Sequence, residues 1–213
     1  MQAVEKISLA NNWITGIFLF LFLSIVLLKL LDSKRLKESF FTFFNLSFLE
    51  DEDTEPTNFF DPFQIVIFFF SIVVLSLLTH KIIVFKIVNF QNTFSTFLQV
   101  FIALLIYFLS KRILEYLLSL LFLIKKGIHF FLTSKYNYLY SLSFLTYVAL
   151  IINEYAAINE LYIFYFTGFL FVTRFIFFAI RNKKLIFNKL FYFILYICTF
   201  EIAPLFVLSK LMF

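Results

Sequence analysis

The sequence predicts an all-α fold, a polytopic transmembrane helical bundle of about six spans with one or two amphipathic helices at the interface. Three observations predict it. The 213 residues are 62% hydrophobic and 15% charged, whereas a soluble domain carries about a quarter charged residues. Apolar runs of about 20 residues recur, each long enough at 1.5 Å per residue to cross a roughly 30 Å hydrocarbon layer. Lysines and arginines gather at the ends of those runs, a distribution that orients spans rather than binds nucleic acid. With 37 Phe and 11 Tyr, the apolar bulk is aromatic, which an AT-rich genome explains as well as packing does. The single cysteine, Cys198, excludes an intrachain disulfide.

The first span covers 13–31. It exceeds a signal-peptide core, lacks a basic leader and runs into LLKLLDSKRLK without a cleavage site, so it reads as retained. Residues 34–49 (KRLKESFFTFFNLSFL) place Leu36, Phe40, Phe43 and Phe44 at helical spacings behind a basic start, the pattern of a surface helix with its phenylalanines down. The acidic linker 50–61 (EDEDTEPTNFFD) follows and is closed by Pro62 at the start of the next helix. Its charge reads as solvated loop, with a docking strip for a basic partner as the other reading.

The second span is 63–80, followed by a connector to Gln91. In the third, 93–111, Asn92, Ser95, Gln99, Ile102 and Ile106 share one face, which is expected to point into the bundle. Residues 112–124 set Arg112, Glu115, Tyr116 and Ser119 against leucines, an amphipathic helix lying on the surface or continuing the span. The polar stretch Thr133 to Asn137 precedes the fourth span, 138–155. A turn through Glu160 then leads to the fifth, 161–180, and the sixth is 190–208. Connections are too short for a globular domain, so residues 1–213 form a single membrane domain.

Thirteen of the 18 Lys and Arg residues fall in alternate connections: Lys29, Lys34, Arg35 and Lys37; Lys111, Arg112, Lys125, Lys126 and Lys135; and Arg181, Lys183, Lys184 and Lys189. Placing those connections inside puts both termini outside.

Within the sixth span, Glu201 stands alone among apolar residues three positions before Pro204. An ionised carboxylate there costs several kcal/mol unless it is paired or wetted. Arg174 lies in the adjacent antiparallel span, roughly 10 Å from the connecting turn against roughly 18 Å for Glu201, an offset an arginine side chain can close. A Glu201–Arg174 pair is therefore expected, fixing the hairpin or, if Glu201 titrates, serving as a proton or ligand site. Glu160, Thr167, Arg174 and Arg181 recur every seven residues, a polar stripe expected to face protein or water.

His80, Glu154 and Glu160 are expected near the outer surface. The two histidines, His80 and His129, fall on opposite sides, so no metal site is expected and no cofactor. Ser71, Ser76 and Ser110 read as ordinary hydrogen-bonding groups, because no nucleophile elbow, Ser-x-x-Lys pair or His-Glu-x-x-His accompanies them. An enzyme is not expected. Secondary transporters rely on broken helices and repeated halves, yet the chain has 3 Gly and 3 Pro, and only Pro204 lies well inside a span.

The stretch from Tyr162 through Arg174 and Arg181 to FYFILYICTFEIAPLFVLSKL (Phe191 to Leu211) resembles the C-terminal signature of a family of uncharacterised integral membrane proteins from Bacteroidota, a domain of unknown function. The likeness extends more loosely back to KRLKESFFTFFN, and this sequence departs from it in its many phenylalanines. The resemblance implies a bacterial inner-membrane protein and brings no activity, ligand or catalytic residue. The leading expectation is a non-enzymatic subunit or scaffold that binds the lipid bilayer and other membrane proteins. The alternative is a small transporter or proton-coupled protein using Glu201.

Overall fold

The computed structural model describes residues 12–41, 61–86, 92–121, 125–156 and 159–181, with side chains over 13–40, 61–86, 92–114, 136–156 and 159–173. The described residues form six helices and no strand: α1 (Asn12–Leu31), α2 (Ser33–Phe41), α3 (Pro62–Lys86), α4 (Phe94–Leu121), α5 (Lys125–Ala156) and α6 (Glu160–Arg181). Among the described residues four stretches are long and apolar enough to cross a membrane: Trp13–Leu31, Pro62–Lys86, Phe94–Leu114 and Tyr136–Ala156. The part of α6 with described side chains, Glu160–Thr173, is apolar but shorter. The sixth predicted span, 190–208, the linker 50–60 and Cys198 lie outside the described residues.

Helix starts follow the local chemistry of the sequence. Asp32 caps α2, its Oδ1 accepting the Lys34 and Arg35 N–H groups at 3.0 Å each. Asp61 stands before α3, accepts the Phe63 N–H at 3.4 Å, and is followed by Pro62 in the first helical position. Asn159 caps α6 by accepting the Leu161 N–H at 3.1 Å, with Glu160 in the first turn.

Cross-helix contacts fix the topology. Tyr140 in the middle of α5 donates to Gln64 at the start of α3, and Lys81 meets Glu154 toward the ends of both, so these two helices run parallel. Tyr147 Oη donates to the Phe18 carbonyl at 3.1 Å, and Tyr155 meets Thr15, so α1 is antiparallel to α5. α4 is antiparallel to α3, with His80 beside Thr96 and Arg112 over Phe68. The bundle therefore has an N-terminal rim, where α1, α4 and α6 begin and α3 and α5 end, and an opposite rim.

α3 is the central helix. Its sequence is apolar all round, which suits a helix enclosed by neighbours as well as one facing lipid, and packing makes it the enclosed one, with 67% of its span buried against 17% for α4. Phe70, 1% exposed, stacks at 4.8 Å on Phe144 and 5.7 Å on Tyr147 of α5.

Several boundaries differ from the sequence reading. Residues 112–121 continue α4, the second of the two readings open for this stretch, and Arg112 is drawn between Phe68 and Tyr136, 4.9 Å and 5.4 Å from their rings. The polar stretch Thr133 to Asn137 lies inside α5, which starts at Lys125. The expected connector after His80 is helical to Lys86, because Lys81 finds an acidic partner across the bundle. Only 33–41 of the expected surface helix 34–49 is described, as α2. Its Phe40 ring packs 5.9 Å from Phe144, and its Phe40 carbonyl accepts from Ser141 at 2.8 Å, so this face rests on protein instead of lipid.

Candidate functional site

The N-terminal rim gathers the charged and hydrogen-bonding groups of four helices. Lys81 Nζ donates to Glu154 Oε2 at 2.6 Å and to Asn153 Oδ1 at 3.0 Å, tying the end of α3 to the end of α5. The pair is largely enclosed, with side-chain exposures of 12% and 23%. One residue earlier, buried His80 places Nε2 at 3.2 Å from Thr96 Oγ1 and packs edge-on to Trp13 at 5.5 Å and Phe97 at 6.1 Å. The sequence supplied the ingredients, polar residues closing two apolar runs, but the Lys81–Glu154–Asn153 contact was missed. It needs the parallel pairing of α3 and α5, which brings two run ends to one rim.

The opposite rim is built around Arg35. Its Nε lies 3.2 Å from Asp32 Oδ2, and its Nη1 engages Asp61 Oδ2, so one guanidinium joins the caps of α2 and α3. The last residue of the acidic linker is thus an internal partner. Exposed Lys34 and Lys37 surround it.

Inside the bundle Ser71 donates to the Ile67 carbonyl at 2.9 Å and Ser76 to Ile72 at 2.7 Å, and on the exposed side of α4 Ser110 donates to Tyr107 at 2.9 Å, the back-bonding expected of serine within a helix. Tyr138 Oη and Thr146 Oγ1 are buried with no partner among the described residues. A hydroxyl in that state lowers stability, so Tyr138→Phe is expected to be neutral or to stabilise by up to about 1 kcal/mol. Thermal unfolding in detergent measures this, and a clear loss would mean that the hydroxyl has an unseen partner.

Of the residues singled out in the sequence, Glu160 opens α6 and Thr167, 3% exposed, donates to the Ile163 carbonyl at 2.7 Å. Arg174 and Arg181 belong to α6 but have no described side chains, and Glu201 lies outside the described residues. The Glu201–Arg174 pair and the lower half of the stripe therefore fall outside the described geometry. Among the described residues no cluster of His, Cys, Asp and Glu could hold a metal ion.

The polar face of α4 corrects the sequence reading. Asn92, Ser95, Gln99, Ile102 and Ile106 do share a face, but all are exposed. At roughly 100° per residue that face lies opposite Phe97, Val100 and Leu104, the residues α4 buries. The stripe points away from the other described helices, and Leu109 and Ile113 extend it toward the opposite rim. This outward face, at the rim that holds His80 and Lys81, is the candidate functional surface.

No curated protein and no solved structure matches the chain. A family model matches residues 14–212, almost the whole sequence, and its description is a domain of unknown function. With an all-helical bundle whose helices can cross a membrane, the chain belongs to that family, DUF4271.

Proposed function

We propose that this protein is a non-enzymatic subunit or scaffold of an inner-membrane complex, docking on a partner's transmembrane helix through the outer face of α4. One observation carries the reading: Ser95 and Gln99 are exposed on the side of α4 that faces away from the other described helices. An amide facing hydrocarbon leaves its donors and acceptors unmet. The same amide between helices contributes about 0.6 to 2 kcal/mol through interhelical hydrogen bonds. Ile102, Ile106, Leu109 and Ile113 supply the apolar contact around it. The partner is accordingly a helix that offers a hydrogen-bonding side chain at the depth of Gln99, roughly 7 Å from the start of α4.

We put the N-terminal rim outside, because the opposite rim carries Lys34, Arg35, Lys37 and Lys111 against Lys81 and Lys86 at the N-terminal one. The intrahelical bonding of buried Ser71 and Ser76 also favours a static packed core over a polar conduit.

Mass spectrometry of what co-purifies with the full chain from its native membrane in mild detergent tests the proposal. Stoichiometric membrane partners are expected. Gln99→Leu should leave the amount of protein in the membrane unchanged and lower partner recovery about 5- to 10-fold, the equivalent of about 1 to 1.4 kcal/mol. A solitary wild-type chain, or a Gln99→Leu variant that retains every partner, would overturn it.

A further inference from the structure

α1, α3 and α4 leave an open apolar groove of about 490 Å³, lined by Trp13, Gly16, Phe20, Val73, Phe97 and Phe101 among others. On α4 this groove lies about a third of a turn from the Ser95–Gln99 stripe, so the two surfaces are separate. The groove belongs to the half of the bundle next to the N-terminal rim. From Trp13 to Phe20, α1 rises about 10 Å, which reaches from the interface toward the middle of a roughly 30 Å hydrocarbon layer.

What fills such a space follows from its walls and its length. The lining side chains are apolar, so they offer ordered water none of the two to four polar partners it needs. The volume lies within the range of about 300 to 1,000 Å³ that holds small ligands. A partner helix, about 10 Å across with its side chains and crossing the full layer, would need an apolar groove over the whole height of the bundle. A hydrocarbon chain from one leaflet needs only this half. At the rim end stands Trp13, an amphipathic ring suited to the level of lipid carbonyls. Beside it are the His80–Thr96 contact and the hydroxyls of Thr93 and Thr96, 3.2 Å apart. At Gly16 a Cβ would meet no atom within 4 Å, so the floor has room that glycine leaves open.

We infer that the groove is a binding site for one acyl chain of a glycerophospholipid from the leaflet at the N-terminal rim, its ester region level with Trp13. This rests on the membrane-spanning reading and is independent of any partner at α4. Because the chain has one tryptophan, Trp13 fluorescence reports this groove alone. The test titrates the purified full chain, in detergent micelles, with a phosphatidylcholine brominated in mid-chain.

Quenching should saturate at a single lipid per chain, persist in Gly16→Ala, and lose its saturable part in Gly16→Phe, whose ring fills the groove. Glycerophosphocholine, the headgroup without chains, should neither quench nor compete. Helicity and gel filtration establish that Gly16→Phe is folded. Leu98→Phe, on the exposed wall of the groove, replaces it if it is not. Quenching that rises in proportion to lipid content without saturating, or that is the same in a folded groove-filling variant, would overturn the inference, as would competition by the chain-free headgroup.

Discussion

Lys81→Met is expected to lower the stability of the bundle by about 3 kcal/mol, at the low end of the cost of breaking a buried ion pair. The loss arises on the other side of the contact. Glu154 would keep its charge in a site where its side chain is 23% exposed, with its 2.6 Å partner gone, and Asn153 would lose its 3.0 Å donor. The position at the rim, where some water reaches the carboxylate, keeps the cost below that of a fully enclosed charge. Adding Glu154→Gln to Lys81→Met removes the stranded charge and should recover more than half of the loss. Reversible unfolding in mixed detergent and denaturant micelles measures both. Equal stabilities for the single and double variants would mean that the contact contributes packing and no electrostatics.

The second large effect is expected at the centre. Phe70→Ala should cost roughly 3 kcal/mol, within the range for emptying an aromatic site in a packed core. In a bilayer the neighbours of a side chain are as apolar as lipid, so transfer from water is not what holds Phe70. What holds it is contact, namely the ring at 4.8 Å from Phe144 and 5.7 Å from Tyr147, whose dispersion energy no lipid tail can replace in a closed site. Phe70→Leu, which fills most of the volume, should cost less than half as much. If Phe70→Ala unfolds at the same denaturant activity as the parent chain, α3 is not the helix that organises the bundle.

The sequence was informative where the physics is one-dimensional. Apolar runs near Trp13–Leu31, Pro62–Lys86, Phe94–Leu114 and Tyr136–Ala156 mark the helices able to cross a membrane, because crossing demands only length and a lack of charge. Asp61 before Pro62 marks a helix start because a cap and a fixed φ act within a few residues. Boundaries failed where a polar residue inside a run was read as its end. Arg112 and Lys81 continue their helices because each finds something across the bundle, the Phe68 and Tyr136 rings for one and Glu154 for the other.

Periodicity shows that Asn92, Ser95 and Gln99 form a stripe, but a stripe carries no sign. Pointing it into the bundle is the natural expectation, since buried amides find partners there. α4 instead buries Phe97, Val100 and Leu104 and turns the stripe outward.

The sequence by itself determined an all-helical class, the apolar runs, the helix start at Pro62 and which polar residues share a helix face. These depend on backbone geometry and on groups a few positions apart. Only the tertiary structure decided that α3 and α5 run parallel, that Lys81 meets Glu154, that Trp13 and Gly16 border a groove, and that the α4 stripe faces outward. Each of those joins residues distant in the chain, and the choice among partners rests on how whole helix surfaces fit, which no local pattern encodes.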